Sequence, residues 1–177
     1  LNPPQWGDTI HVSTWTKGTD RLFALRDVLY KNNGDSVIAR GTSGWLVIDR
    51  TTKRPQRLEE FREIVPLLEE DALKEKLEKL SPPEGEYETF HREASYEDID
   101  MNNHVNNVAY IRWIQDTLPE EFHREWVVRK LSINFLSESF FKDPVEVRIK
   151  KQKQEEGKEN LSLSGGILIR GKPACTT

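Results

Sequence analysis

Cysteine is almost absent from this sequence of 177 residues, in which Cys175 is the only one. A single cysteine excludes an internal disulfide and any zinc or iron–sulfur site built on several cysteine ligands, and it is typical of a reducing compartment. The chain also lacks the usual spacing of metal ligands. We therefore predict no metal and no other cofactor.

A basic excess and long apolar runs are absent as well. The 26 Lys and Arg residues are outnumbered by 30 Asp and Glu residues, for a net charge of −4, whereas nucleic-acid-binding domains usually carry a basic excess. No apolar run approaches the roughly 20 residues of a membrane-spanning helix. No signal peptide is recognisable, although the chain begins at Leu1 and we expect its natural start to lie earlier. These absences favour a cytoplasmic protein with no nucleic-acid partner and no membrane span.

The length fits one domain or two small ones. From residue 5 to about residue 50, apolar residues such as Ile10 and Val12 alternate with polar ones and predict strands. Breaks are expected at residues 17–20 and at Asn32-Asn33-Gly34-Asp35, the latter a strong hairpin signal. Residues 53–86 differ in composition and predict a linker with one amphipathic helix between Ile64 and Leu80, because Leu73, Leu77 and Leu80 recur at helical spacing.

The segment from Asp98 to Ile114 is the most informative part of the chain. It begins as a polar turn and continues as an apolar helix, predicted from about Val105 to Leu118 and ended by Pro119. Its expected buried stripe is Val108, Ile111, Ile114 and Leu118. This arrangement places Asp100, Asn102 and His104 at the helix start, where free N–H groups favour negative charge, although Asn102 or Asn103 could equally be simple helix caps.

Five strands are predicted around this helix, at Tyr87–Glu93, Trp126–Glu138, Val145–Gln152, Leu161–Arg170 and near Pro173. In the second of them Glu138 points to the face opposite Phe135, either into a site or into solvent. A faint repeat relates residues 7–12 to residues 142–147. The same order of a turn and three strands follows each copy. We therefore expect two related halves, of which the first lacks its own strand and helix, in a chain trimmed at both ends.

The polar turn and helix resemble a known motif, carried by Tyr96-x-Asp98-Ile99-Asp100-Met101-Asn102-Asn103-His104-Val105-Asn106-Asn107-Val108-x-Tyr110-Ile111-x-Trp113. The motif is similar to that of acyl-acyl carrier protein (acyl-ACP) thioesterases. Trp6-Gly7-Asp8, the run from Gly44 to Asp49 and Thr52-Lys53-Arg54-Pro55 add to the resemblance. The resemblance implies an α+β double hotdog, in which each antiparallel sheet wraps a central helix. The expected parts are a partial N-terminal hotdog at 1–52, the linker at 53–86 and a C-terminal hotdog at 87–177.

The same resemblance implies the site. Its catalytic residues would be Asp100, Asn102, His104 and Glu138. Ser139 stands where plant members commonly carry a cysteine, so it is a possible secondary residue if His104 lies within hydrogen-bond reach. Cys175 lies far along the chain and is not expected to act as a nucleophile.

The expected reaction is hydrolysis of a fatty acyl-ACP by a water molecule that Glu138 activates. Backbone N–H groups of Val105 and Asn106 would stabilise the oxyanion. The partner would be acyl carrier protein bearing its acyl-phosphopantetheine. Because that protein is strongly acidic, basic residues of the second half are candidates for docking: Arg112, Arg124, Arg129 and Lys130. A homodimer is one possible assembly.

Two other functions stay open at this point. A single-hotdog acyl-CoA thioesterase would act on coenzyme A thioesters, and the duplicated organisation argues against it. A non-catalytic acyl-binding module is the alternative from a different class.

Overall fold

The computed structural model describes residues 3–49, 51–52, 54–56, 58, 68, 70–82, 84–151 and 161–177. The chain divides into two compact units, Leu1–Leu77 and Glu78–Thr177. The described residues of the expected linker at 53–86 divide between the two units. None of the helices formed by described residues is long and apolar enough to cross a membrane.

The first unit contains an antiparallel sheet of three strands in the order β1-β2-β3. The strands are β1 (Ile10–Asp20), β2 (Phe23–Asn32) and β3 (Val37–Leu46). The predicted hairpin turn between β2 and β3 is confirmed. The Asn32 carboxamide oxygen accepts N–H groups of Gly34 and Ser36 at 3.0 Å each, and this side-chain bonding to nearby backbone is why asparagine favours turns.

The predicted break at residues 17–20 is wrong. Strand β1 continues through these residues to Asp20, and the turn to β2 falls at Arg21 and Leu22. The pairing register with β2 shifts between Thr16 and Gly18, and Gly18 has φ +125°. The glycine therefore marks a β-bulge, which interrupts the ladder without ending the strand.

The predicted linker helix is also wrong over residues 70–82, which form no helix; residues 59–67 and 69 lie outside the described part. The fully buried Asp27 carboxylate accepts the Ala72 N–H at 2.7 Å. Lys17 donates to the Leu73 carbonyl at 2.6 Å, and the Trp15 indole donates to the Glu70 carbonyl at 2.7 Å. These bonds from the sheet occupy backbone groups that a helix would pair internally, so tertiary contacts override helix propensity.

The described residues of the second unit form an antiparallel sheet of five strands in the order β4-β6-β7-β8-β5, two short α-helices and one turn of 3-10 helix at Tyr96–Asp98. Its elements are β4 (Glu88–Glu93), α1 (Asn107–Gln115), α2 (Glu120–Glu125), β5 (Asn134–Phe135), β6 (Pro144–Lys151), β7 (Leu163–Ile169) and β8 (Lys172–Thr176). The predictions of β4, β6, β7 and β8 are confirmed. The long strand predicted at Trp126–Glu138 is reduced to β5, whose two residues pair with Thr176 and Cys175 of β8.

Helix α1 packs on the sheet with a different face from the predicted one. Ala109, Tyr110 and Trp113 are buried, whereas Val108 is 67% exposed and Ile114 only partly buried. The helix ends at Gln115, and Pro119 instead precedes α2. Two apolar stripes overlap on this helix, and the sheet buries the one with the larger aromatic area. The facing side chains include the buried alternate residues of β6, which are Val145, Val147 and Ile149.

We predict that Asp27→Asn destabilises the first unit by about 2 kcal/mol, since a buried carboxylate exchanged for an amide loses its ion pair with Lys17 (3.3 Å) and keeps weaker hydrogen bonds. Urea unfolding measures the change. Asp35→Asn is the matched control, because the Asp35 side chain is 86% exposed and its pairing should contribute less than about 1 kcal/mol. Equal effects of the two substitutions would contradict this account of Asp27.

Candidate functional site

The polar turn before α1 is a tight loop closed by its own backbone. Ile99 and Val105 form an isolated β-bridge, and the Asp100 N–H donates to the His104 carbonyl at 2.9 Å. The Asp100 carboxylate accepts the Asn102 N–H at 2.7 Å. Asn103 adopts a left-handed conformation with φ +63°, which asparagine tolerates better than most residues. The loop therefore holds His104 in a fixed place directly before Val105.

The start of α1 differs from the prediction in its cap. Asn106 is the capping residue, and its side chain accepts the Val108 N–H at 2.9 Å. Neither Asn102 nor Asn103 performs this role. An asparagine at this position satisfies one of the N–H groups that the first turn of a helix leaves unpaired.

The N–H groups of Val105 and Asn106, the predicted oxyanion donors, already have backbone partners. Val105 donates its N–H to the Ser139 carbonyl at 2.8 Å, and Asn106 donates its N–H to the Asp98 carbonyl at 2.8 Å. The N–H of Asn107 has no hydrogen-bond partner among the described residues. It is the donor that the start of α1 leaves available.

The structure brings His104 and Glu138 together. The Nδ1 atom of His104 lies 3.8 Å from Oε1 of Glu138, a separation within ion-pair range but longer than a hydrogen bond. The two side chains are 35% and 58% exposed. The imidazole packs edge-to-face on Phe140, with ring centroids 5.1 Å apart. A base and an acid that solvent can reach therefore lie side by side on the second unit.

Glu138 does not belong to a strand, so its predicted orientation relative to Phe135 does not apply. It lies in an irregular segment after β5, which we call the Glu138 segment (residues 136–140). The Leu136 N–H bonds to the Ala174 carbonyl at 2.8 Å, and the Phe140 N–H bonds to the Asp143 carboxylate at 2.9 Å. Hydrogen bonds at both ends therefore fix the segment without a ladder.

The other two predicted catalytic residues play different parts. The Asp100 carboxylate bonds to the backbone of its own loop and so shapes the turn that carries His104. Asn102 is exposed, and within the described residues no hydrogen bond joins its side chain to His104 or Glu138. The described geometry thus gathers two of the four residues.

Ser139 is not a candidate nucleophile. Its side chain is fully buried, and its hydroxyl lies 2.5 Å from the Tyr110 hydroxyl, its hydrogen-bond partner in place of His104. Burial raises the pKa of Tyr110 above its usual value, so the phenol stays protonated. The Cys175 thiol is buried too, and this burial raises its pKa to about 12. Neither side chain is accessible to a substrate.

A buried ion pair beside the loop escaped the sequence analysis. The Asp98 carboxylate is fully buried and accepts the Ser95 N–H at 2.8 Å, the Ser95 hydroxyl at 2.7 Å and the Arg112 guanidinium. Burial alone would raise the pKa of Asp98, but the bonds from Ser95 and the charge of Arg112 lower it below the usual value. The Ser-x-x-Asp spacing of a capping box was the available signal.

The guanidinium of Arg112, a predicted docking residue, is bound to Asp98, and its side chain is 44% exposed. Arg124 pairs with Glu120 at 2.6 Å, both side chains being about three-quarters exposed. Arg129 and Lys130 are exposed in the segment after α2. All four predicted docking residues thus lie on the surface, and Arg112 is the one held by a buried carboxylate.

An antiparallel sheet with a helix packed across it, and an exposed His–Glu pair beside the helix start, define a hotdog-type α+β protein. Comparison with known families agrees with this class. The profile of the acyl-ACP thioesterase N-terminal domain matches residues 1–65, and that of the acyl-ACP thioesterase C-terminal domain matches residues 83–167. The chain belongs to the acyl-ACP thioesterase family.

Individual relatives support this assignment. The chain is 28% identical to the chloroplastic oleoyl-acyl carrier protein thioesterase 2 of Arabidopsis thaliana over 182 residues, which cover 96% of this chain and 49% of the relative. It is 32% identical to the chloroplastic palmitoyl-acyl carrier protein thioesterase of Gossypium hirsutum over 126 residues, 66% of this chain and 30% of the relative. The chain thus spans half or less of the length of these relatives.

Solved structures show the same fold. An acyl-ACP thioesterase from Bacteroides thetaiotaomicron superimposes with a TM-score of 0.79 at 25% identity, covering 96% of this chain and 67% of that one. The 12:0-ACP thioesterase from Umbellularia californica superimposes with a TM-score of 0.81 at 20% identity, covering 98% and 66% of the two chains.

We predict that Asp98→Asn destabilises the second unit by about 2 kcal/mol at neutral pH, because the Arg112 pair and the charge-assisted bonds from Ser95 are lost. The pKa of Asp98 is lowered from its ordinary value of 3.8 in the folded chain. Its stabilisation is therefore complete above that value and is lost as pH falls through the folded-state pKa. Urea unfolding across a pH series should show the difference between the two proteins shrinking only below about pH 4.

Asp116→Asn is the control for this prediction. Asp116 pairs with Arg92 at 3.1 Å, but its side chain is 57% exposed, so its loss should cost under about 1 kcal/mol. A stability difference for Asp98→Asn that stays constant down to the most acidic pH would contradict the assigned role.

Proposed function

We propose that this protein hydrolyses the thioester of a fatty acyl-ACP, releasing a free fatty acid and the carrier protein thiol. The observation that carries the proposal is the exposed His104–Glu138 pair, 3.8 Å apart, in the half that matches the C-terminal family profile. The names of the relatives in Arabidopsis thaliana and Gossypium hirsutum, both acyl carrier protein thioesterases, support this substrate class.

Glu138 is the general base in this proposal. Its carboxylate takes a proton from a water molecule whose oxygen attacks the thioester carbon. The tetrahedral intermediate then breaks its carbon–sulfur bond, and the thiolate leaves. A positioned base of this kind typically contributes about 100- to 10,000-fold in rate. Half-exposed side chains suit the role, since both water and a tethered thioester can reach them.

His104 supplies the proton that the departing thiolate takes up. Its ring is held by Phe140 and by a loop whose shape depends on the Asp100 carboxylate. Asp100 therefore acts through the loop rather than on the substrate. The Asn107 N–H at the start of α1 stabilises the oxyanion, because it lies at the positive end of a helix and has no partner within the described part of the chain.

The acidic carrier protein docks through the basic residues at and after α2, which are Arg124, Arg129 and Lys130. Their exposure supports this role, and complementary charge mainly speeds the encounter of two partners. Arg112 is left out because it is bound to Asp98. A cytoplasmic location and a homodimer stay predictions that fractionation and light scattering would test.

We predict that Glu138→Gln lowers kcat on a fatty acyl-ACP by at least about 100-fold, because the amide cannot accept the proton from water. His104→Gln should lower kcat by about 10- to 100-fold through loss of the acid. Steady-state release of the carrier protein thiol measures both. Glu86→Gln, at an exposed position of the same unit, is the matched control and should retain full activity.

The same assay separates the alternatives. Hydrolysis of acyl-CoA with a higher kcat/KM than that of acyl-ACP would favour the acyl-CoA thioesterase. Binding of an acyl-ACP by folded protein without any hydrolysis would favour the non-catalytic acyl-binding module. Full activity of Glu138→Gln would remove Glu138 from the mechanism.

We predict that Lys130→Glu raises KM for acyl-ACP about 3- to 10-fold at low salt and leaves kcat unchanged, since like charges now oppose docking. The difference should shrink as salt is added. Lys172→Glu makes the same charge change at an exposed position of β8 and is the control. An equal rise in KM for both variants would show a general effect of net charge and contradict a docking surface after α2.

A further inference from the structure

Tyr110 is a buried tyrosine that the proposed chemistry does not use. It is 2% exposed, and its ring packs against Trp113 and Phe135 at centroid distances of 5.3 and 5.7 Å. Two aromatic neighbours hold the ring in the core between α1 and β5. The position of its hydroxyl is therefore set by core packing and not by the site.

The Tyr110 hydroxyl contacts the chain on both sides of Glu138. It lies 2.5 Å from the Ser139 hydroxyl, immediately after Glu138, and it donates to the Ser137 carbonyl, immediately before Glu138, at 3.4 Å. The first of these contacts is short and fully buried, and the second is at the long limit of a hydrogen bond. One phenolic group thus bridges the two neighbours of the proposed base.

A second link comes from the same end of α1. The Val105 N–H donates to the Ser139 carbonyl at 2.8 Å, and Val105 directly follows His104. Ser139 is therefore held through its hydroxyl by Tyr110 and through its carbonyl by Val105. Residues 136–140 have no continuous ladder, and the bonds of Leu136 and Phe140 fix only the two ends of the segment. The contacts at Ser137 and Ser139 hold its middle, where Glu138 lies.

We propose that Tyr110 is a positioning residue, whose hydroxyl holds the Glu138 segment so that the Glu138 carboxylate faces His104. The expected effect of Tyr110 on the reaction rate rests on the proposed function. Its expected effect on the position of the Glu138 segment rests on the buried contacts alone. Tyr110 touches no substrate in this scheme. It acts through Ser139, whose buried hydroxyl thereby has a role other than that of a nucleophile.

The test compares Tyr110→Phe and Ser139→Ala with the control Tyr96→Phe, in which an 80% exposed tyrosine of the same unit loses its hydroxyl. Tyr110→Phe should lower kcat on acyl-ACP about 10- to 100-fold with KM changed less than about threefold, because a displaced base impairs the chemical step and not docking. Ser139→Ala should lower kcat less, since the Ser137 contact remains. Tyr96→Phe should match the unmodified protein.

A double variant tests whether Tyr110 acts through Glu138. Adding Tyr110→Phe to Glu138→Gln should change kcat by less than about twofold, because residues that act as a unit are not additive. The proposal would be overturned if the effects of the two substitutions on kcat were fully additive. It would also be overturned if Tyr110→Phe left kcat unchanged while Glu138→Gln abolished activity.

Amide hydrogen exchange gives a readout independent of activity. In Tyr110→Phe the Val105 amide should exchange about tenfold faster, since its acceptor Ser139 is less well held, while the Val147 and Ile167 amides of the central strands stay unchanged. Equal acceleration of all three would show general loosening of the core and overturn a positioning role.

If the unmodified protein hydrolyses no thioester, the proposed function fails. The exchange at Val105 then decides the positioning role by itself, with faster exchange confined to Val105 supporting it and unchanged exchange overturning it.

Discussion

The hydrogen bond from the Val105 N–H to the Ser139 carbonyl, 2.8 Å long, is the interaction on which the site depends. It joins the loop before α1 to the Glu138 segment. His104 and Glu138 each lie one residue before a partner in this bond, so the bond fixes their separation. Because the N–H serves this purpose, it is not available to an oxyanion. The start of α1 therefore contributes to structure first, and the next N–H group, that of Asn107, has no partner among the described residues.

Two buried carboxylates perform equivalent tasks in the two units. Asp27 pairs with Lys17, and these two side chains bind the backbone of Ala72 and Leu73. Asp98 pairs with Arg112 and binds the backbone of Ser95. A buried charge is tolerated only where hydrogen bonds and an opposite charge compensate its lost hydration. In return each carboxylate satisfies backbone N–H groups of an irregular segment that no sheet or helix pairs. In both units, a segment without regular secondary structure thus lies next to a buried carboxylate that accepts its backbone N–H.

Much of the fold follows from local sequence patterns, because they reflect local physics. The alternation of Val145, Val147 and Ile149 predicts β6, and Asn33-Gly34 predicts the hairpin turn between β2 and β3. The failures occur where distant contacts decide. Leucine spacing favours a helix through residue 80, but Asp27, 45 residues away, captures the Ala72 N–H. Of the predicted site, the structure brings His104 and Glu138 to within 3.8 Å of each other. The pairing of Ser139 with Tyr110 depends on which stripe of α1 is buried, and the sequence offers two.

Burial also determines which nucleophile the site can use. The two side chains considered above as nucleophiles, Ser139 and Cys175, are fully buried, and burial raises the Cys175 pKa to about 12. A thioester bound at the surface can meet neither of them. It can meet the imidazole of His104 and the carboxylate of Glu138, which move protons more readily than they form acyl intermediates. An activated water is the nucleophile that this arrangement favours, and the buried Ser139 contributes by holding the base in place.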